Sequence, residues 1–124
     1  MENKIIEVSG LTKKYASSNS FALDHIDLTI ESGSIFGLLG PNGAGKSTFI
    51  NILSGLTNKS SGKVKVCGID LDENPKTVRG NIGIVPQEIN IDPFFSPIQI
   101  MDIQAGSYGV KKNNNKNLEI LKNL

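Results

Sequence analysis

An α/β fold in which a strand leads through a glycine-rich loop into a helix is predicted for this 124-residue chain by three adjacent observations. Ile35-Phe36-Gly37-Leu38-Leu39 is a continuous apolar run, the pattern of a parallel strand buried on both faces. Gly40-Pro41-Asn42-Gly43-Ala44-Gly45-Lys46-Ser47-Thr48 follows it and fits the spacing G-x-x-x-x-G-K-[ST]. Ser47-Thr48-Phe49-Ile50-Asn51-Ile52-Leu53 then reads as a helix whose N-terminus faces the loop.

That order of strand, loop and helix suits one chemistry, the binding of a purine nucleoside triphosphate. Glycines at 40, 43 and 45 permit tight backbone turns and carry no Cβ, so successive N–H groups can converge on phosphate oxygens. Lys46 supplies a point charge for the β- and γ-phosphates, and the Ser47 hydroxyl is a ligand for Mg²⁺. Thr48 suits either a hydrogen bond to the α-phosphate or a helix cap. The helix N-terminus adds about 0.3 to 1 kcal/mol per anionic partner, so backbone donors and Lys46 carry most of the anchoring.

The remaining elements follow from local pattern. Lys4-Ile5-Ile6-Glu7-Val8 reads as a first strand, and His25-Ile26-Asp27-Leu28-Thr29-Ile30 alternates polar and apolar residues as a half-buried second one. Glu31-Ser32-Gly33-Ser34 turns the chain into the apolar run, and Gly55 stands where a glycine ends a helix. After the turn Asn58-Lys59-Ser60-Ser61-Gly62, the stretch Lys63-Val64-Lys65-Val66 alternates like a strand with one wet face. Pro75 fits the first position of a short helix, and Asn81-Ile82-Gly83-Ile84-Val85-Pro86 reads as another buried strand closed by Pro86. From Ile98 to Tyr108 the pattern is helical, with Ile100, Met101 and Ile103 on a stripe that suits a core or an interface equally. Lys111 to Lys116 is a polar loop, and Leu118 to Leu124 begins a helical pattern without a capping residue.

Composition narrows the function classes. Thirteen Lys and Arg against twelve Asp and Glu give a formal charge of +1, which offers no electrostatic footprint for nucleic acid or an anionic membrane surface. The single cysteine, Cys67, cannot form an internal disulfide or a metal site and is read as a small residue near a strand end. No run approaches the about 20 apolar residues of a membrane span, and the N-terminus lacks the pattern of a signal peptide. His25, the one histidine, is expected to face solvent.

With the loop placed, four further features resemble the ATPase subunits of ABC (ATP-binding cassette) transporters over essentially the whole chain. Gly37 to Thr48 is similar to that family's Walker A segment almost letter for letter. Leu11-Thr12-Lys13-Lys14-Tyr15 resembles its opening strand and loop, in which the resemblance makes Tyr15 the aromatic that stacks on adenine; an ordinary half-buried tyrosine is the competing reading. Ser61 to Gly68 resembles the strand pair after the P-loop helix. Ile82 to Glu88 resembles the Q-loop, which implies that Gln87 senses Mg²⁺ and the γ-phosphate, against the reading of a surface residue after a strand. Asp92 to Pro97 and Gln104 to Gly109 look like the bacterial drug and polysaccharide exporter subgroup, where Phe94 and Phe95 would meet a membrane subunit or serve a core. The resemblance thus implies a P-loop NTPase core with ATP and Mg²⁺ as cofactors and a nucleotide site of Tyr15, residues 40–48 and Gln87. It also implies a membrane permease and a second ATPase subunit as partners, and a cytoplasmic location peripheral to the inner membrane.

The family's L-S-G-G-Q loop, its Walker B strand, the catalytic Glu after it and the late switch His do not occur in this sequence. Leu53-Ser54-Gly55-Leu56 is no substitute, because it lies on the P-loop helix and lacks the second glycine and the glutamine. The expectation is therefore an incomplete domain over residues 1–124, truncated before the signature and Walker B, in which nucleotide binds and hydrolysis by the chain alone fails. Two readings follow. One is the N-terminal part of an exporter ATPase, whole or split; the other is the product of a decayed gene that binds nucleotide at most. A soluble ABC protein acting on ribosomes or DNA is a third and is disfavoured by the near-neutral charge. Strands lacking their parallel neighbours would leave apolar surface exposed.

Overall fold

The computed structural model describes residues 3–43, 45–88 and 91–124. They form two compact units, Met1–Ile84 and Val85–Leu124.

The first unit is a four-stranded antiparallel sheet with helices packed on it, in the strand order β2-β1-β3-β4. Strand β1 (Lys4–Lys14) runs well past the predicted Val8 because it is central, pairing with β2 (Phe21–Glu31) on one side and β3 (Ser61–Val66) on the other. Both ladders change register around Ser9-Gly10, where the Gly10 N–H donates to Asp27 Oδ1 at 2.7 Å and the insertion is pinned from β2. A second irregularity lies between Leu23 and Ile26 of β2, where His25 has φ 49°; its ring is exposed, as expected, with Nδ1 2.6 Å from Asp24 Oδ1. Strand β3 turns into the short β4 (Ile69–Asp70) through Cys67 and Gly68, whose φ values of 52° and 76° match a two-residue primed turn. Cys67 is exposed in that turn, one residue beyond the strand end.

Alternation in β3 sends Val64 and Val66 inward and leaves Lys63 and Lys65 outward. Helix α1 (Lys46–Ser54) lays Phe49, Ile52 and Leu53 on the sheet at i, i+3, i+4 spacing. Together with Val8, Leu11, Leu23 and Val78 of the short α2 (Pro75–Gly80), these side chains are the core. Gly55 ends α1 with φ 78°, and the Leu56 N–H returns to Asn51 O at 2.9 Å.

Two expected strands do not form. Residues 34–41 and 82–86 carry no regular secondary structure, and Ile35, Leu39 and Val85 are 104%, 94% and 95% exposed. A parallel strand needs a ladder of hydrogen bonds to a neighbour and covered faces, and among the described residues the ladders join only strands β1 through β4. Both runs are therefore neither strands nor buried, and the sheet of the first unit is antiparallel and formed by other segments.

In the second unit, α3 (Pro97–Ser107) begins with a capping box. The Ser96 N–H donates to Gln99 Oε1 at 2.8 Å and the Gln99 N–H donates to Ser96 Oγ at 3.4 Å, with Pro97 at the first helical position. Lys112–Asn114 makes one 3₁₀ turn within the predicted polar loop before α4 (Asn117–Lys122). Asp102 Oδ1 accepts from Asn115 Nδ2 at 3.0 Å and Asn117 Nδ2 at 2.8 Å, so a carboxylate clamp joins the two helices. No residue of α3 is fully buried: of its apolar stripe Ile100 and Met101 are half-buried and Ile103 is exposed. Phe94 and Phe95 are 90% and 44% exposed.

Candidate functional site

The loop from Gly40 to Thr48 is built by the first unit alone. Gly43 and Gly45 have φ values of 85° and 94°, the left-handed region in which a side chain is strained. At Gly45 space is short as well as strained. A Cβ there would meet the Ala22 carbonyl oxygen and would lie 2.7 Å from Leu23 Cδ2. The start of β2 is therefore the floor against which the loop closes. Ala44 lies outside the described residues.

The N-terminus of α1 opens into this loop. Gly45 is its N-cap, no side chain caps it, and its first backbone bond runs from the Phe49 N–H to Gly45 O at 2.9 Å. The amides of Lys46, Ser47 and Thr48 thus project from the helix end, and no acidic residue occupies the first turn. They face a cleft of about 400 Å³ lined by Ala22, Asn42, Gly43, Gly45, Lys46, Ser47 and Thr48. The Lys46 ammonium turns back onto its own loop, donating to Gly40 O and, at 3.3 Å, to Pro41 O. Those acceptors are neutral; a phosphate oxyanion would replace them with charge-assisted bonds roughly twice as strong. Ser47 is exposed beside Lys46 and can offer one hydroxyl oxygen to a hydrated Mg²⁺ that takes its other ligands from phosphate and water.

Tyr15 reaches the same helix end. Its hydroxyl is 3.4 Å from Thr48 Oγ1 across 33 residues of sequence, and the ring is 39% exposed. Gln87 is an exposed residue in a bend of the second unit. The structure accordingly brings Tyr15, Gly40 to Gly43 and Gly45 to Thr48 together in one unit, and places Gln87 in the other. Ala22 was not foreseen, because no motif marks it; it reaches the loop from the start of β2, where Gly45 at the head of α1 closes against its carbonyl.

A family model described as ABC transporter matches residues 23–124. This chain belongs to the ABC transporter ATP-binding family. It is 38% identical over 106 residues to Nod factor export ATP-binding protein I of Cupriavidus metallidurans, covering 86% of this chain and 34% of that protein. It is 33% identical over 111 residues to doxorubicin resistance ATP-binding protein DrrA of Mycobacterium tuberculosis, covering 90% of this chain and 34% of the relative. The chain thus spans about a third of the length of these relatives. Among solved structures, the dimeric ATP-binding cassette MJ0796 bound to ADP and Pi superposes with a TM-score of 0.78 at 25% identity, over 95% of this chain and 56% of that one. An ATP-binding subunit of an ABC transporter gives 0.76 at 26% identity over 88% and 45%. The fold is that of the ABC ATPase cassette, of which this chain forms part, and its first unit supplies the antiparallel sheet and the P-loop helix. Among the described residues no helix is long and apolar enough to cross a membrane.

Proposed function

We propose that this chain binds MgATP through residues 40–48 and serves as part of the ATPase subunit of an exporter, docked from the cytoplasm on a membrane permease beside a second ATPase subunit. The observation that carries the nucleotide reading is the uncapped N-terminus of α1 opening, with Lys46, into the lined cleft. In this reading the backbone amides of Lys46, Ser47 and Thr48 hold the phosphates, and Lys46 exchanges its loop carbonyls for β- and γ-oxygens. Ser47 holds Mg²⁺, which when bound neutralises phosphate charge. Tyr15 receives the adenine, and Gln87 serves as a further Mg²⁺ ligand and γ-phosphate sensor on the strength of the sequence resemblance. One relative is named for Nod factor export and another for doxorubicin resistance, which supports an exporter assignment.

The cleft lining contains no carboxylate among the described residues, so no general base is at hand for attack by water. Binding and turnover should consequently separate. MgATP at about a hundred times Kd should stabilise the chain by ~2.7 kcal/mol and raise its Tm, with the shift lost in Lys46→Ala. Phosphate release by the same samples should stay at background. An equal Tm shift in wild type and Lys46→Ala would remove the loop from the proposal, and turnover abolished by Lys46→Ala would show that the chain has a base this site does not.

A further inference from the structure

Tyr15 is held from two directions, and only one of them belongs to the phosphate loop. Its hydroxyl meets Thr48 Oγ1 at 3.4 Å, on the first turn of α1. Its ring is covered by the Lys13 ammonium, 4.9 Å from the ring centroid. Lys13 stands next to the last residue of β1, Lys14, and Tyr15 follows that residue just beyond the strand. Lys13 also pairs with Leu23 across the β1–β2 ladder, and Leu23 is one of the two residues that Gly45 closes against. Among the described residues Lys13 makes no ion pair, although its side chain is half-buried. A cation in that position is attracted by the electron-rich face of the aromatic ring.

We propose that Lys13 is a positioning residue for the base of the bound nucleotide, a reading that rests on the proposed nucleotide site. With the ammonium on one face and the hydroxyl pinned to α1, Tyr15 is fixed in orientation and presents its opposite face to the purine. The cation also draws ring electron density toward itself, which leaves the outer face better matched to an electron-rich purine than a free tyrosine would be. Lys13 acts through Tyr15 and makes no contact with phosphate. Its contribution therefore depends on a base being present.

The test is a set of titrations of the full chain with MgATP and with magnesium tripolyphosphate, which has the phosphates and no base. Lys13→Met should weaken MgATP about two- to fivefold, the cation–π range, and leave tripolyphosphate unchanged. Lys13→Arg should restore MgATP binding, since guanidinium stacks on aromatics as well. In a Tyr15→Leu background Lys13→Met should have no further effect, and Tyr15→Phe, which keeps the ring, should retain most of the dependence on Lys13. Equal weakening of both ligands by Lys13→Met would make Lys13 a phosphate contact and overturn the proposal, as would an undiminished effect in the Tyr15→Leu background. No effect on either ligand would overturn it too. If Lys46→Ala abolishes binding of both ligands while Tyr15→Leu leaves their ratio unchanged, the phosphate loop stands and the positioning role fails. If Lys46→Ala leaves both affinities intact, the nucleotide site itself has failed.

Discussion

Ile52→Ala is expected to cost the first unit about 2–5 kcal/mol of stability. Ile52 is fully buried on the sheet-facing side of α1, in a cluster whose other fully buried members are Leu11, Val64 and Val78, one each from β1, β3 and α2. Its removal opens a cavity at the point where three elements meet, and the rigid strands on one side limit how far the site can collapse. Against a typical total of about 5–15 kcal/mol the loss is a large share, so the variant should unfold at much lower urea concentration. Leu56→Ala is the control: Leu56 is 76% exposed just past the end of α1, and its replacement should change stability by no more than about 0.5 kcal/mol. Urea denaturation followed by far-UV circular dichroism measures both. Equal midpoints for Ile52→Ala and wild type would mean that α1 is not seated on the sheet as described.

Gly45→Val should have the largest effect on the site. The φ of 94° disfavours any Cβ, and the added atoms would strike the Ala22 carbonyl and Leu23 Cδ2 at the floor of the loop. Forcing a β-branched residue into this region costs about 1–3 kcal/mol of backbone strain before any clash. Relief requires the loop to lift from β2, which moves the amides of Lys46 and Ser47 off their common focus. Affinity for MgATP should fall at least about tenfold, the equivalent of ~1.4 kcal/mol. Gly37→Val is the matched control, because a Cβ at Gly37 meets nothing within 4 Å. Fluorescent-nucleotide titration distinguishes them, and equal affinities for the two variants would mean that the floor formed by Ala22 and Leu23 does not shape the loop.

What the sequence reveals of this molecule follows the range of the interactions involved. The glycine loop ahead of α1 was legible because its pattern is local: nine consecutive residues, Gly40 to Thr48, set the glycine positions, the lysine and the helix start together. Helix α1 and its glycine stop were legible for the same reason, as were the alternating strands around Val8, Leu28 and Val64. The length of β1 was not, since its second half owes its conformation to pairing on both sides. Ile35 to Leu39 and Ile82 to Pro86 show the opposite error. Apolar residues announce a need for burial, but hydrogen-bonded neighbours decide whether a strand forms, and the neighbours are not in the first unit's sheet. In the site, the approach of Tyr15 to Thr48 and of Ala22 to Gly45 depends on strand register and helix docking, which no short pattern encodes. The Ser96–Gln99 capping box, by contrast, was present in the sequence as S-x-x-Q and could have fixed the start of α3 at Pro97.

The claim that the N-terminus of α1 and its loop form the nucleotide site is tested most directly by amide-resolved NMR of the chain titrated with MgATP. Backbone amides report the donors themselves. The account predicts saturable shifts largest at Gly43, Gly45, Lys46, Ser47 and Thr48, smaller ones at Ala22 and Tyr15, and none at the Cys67-Gly68 turn. Saturable shifts centred elsewhere on the chain, with the amides of residues 43–48 unmoved, would contradict it.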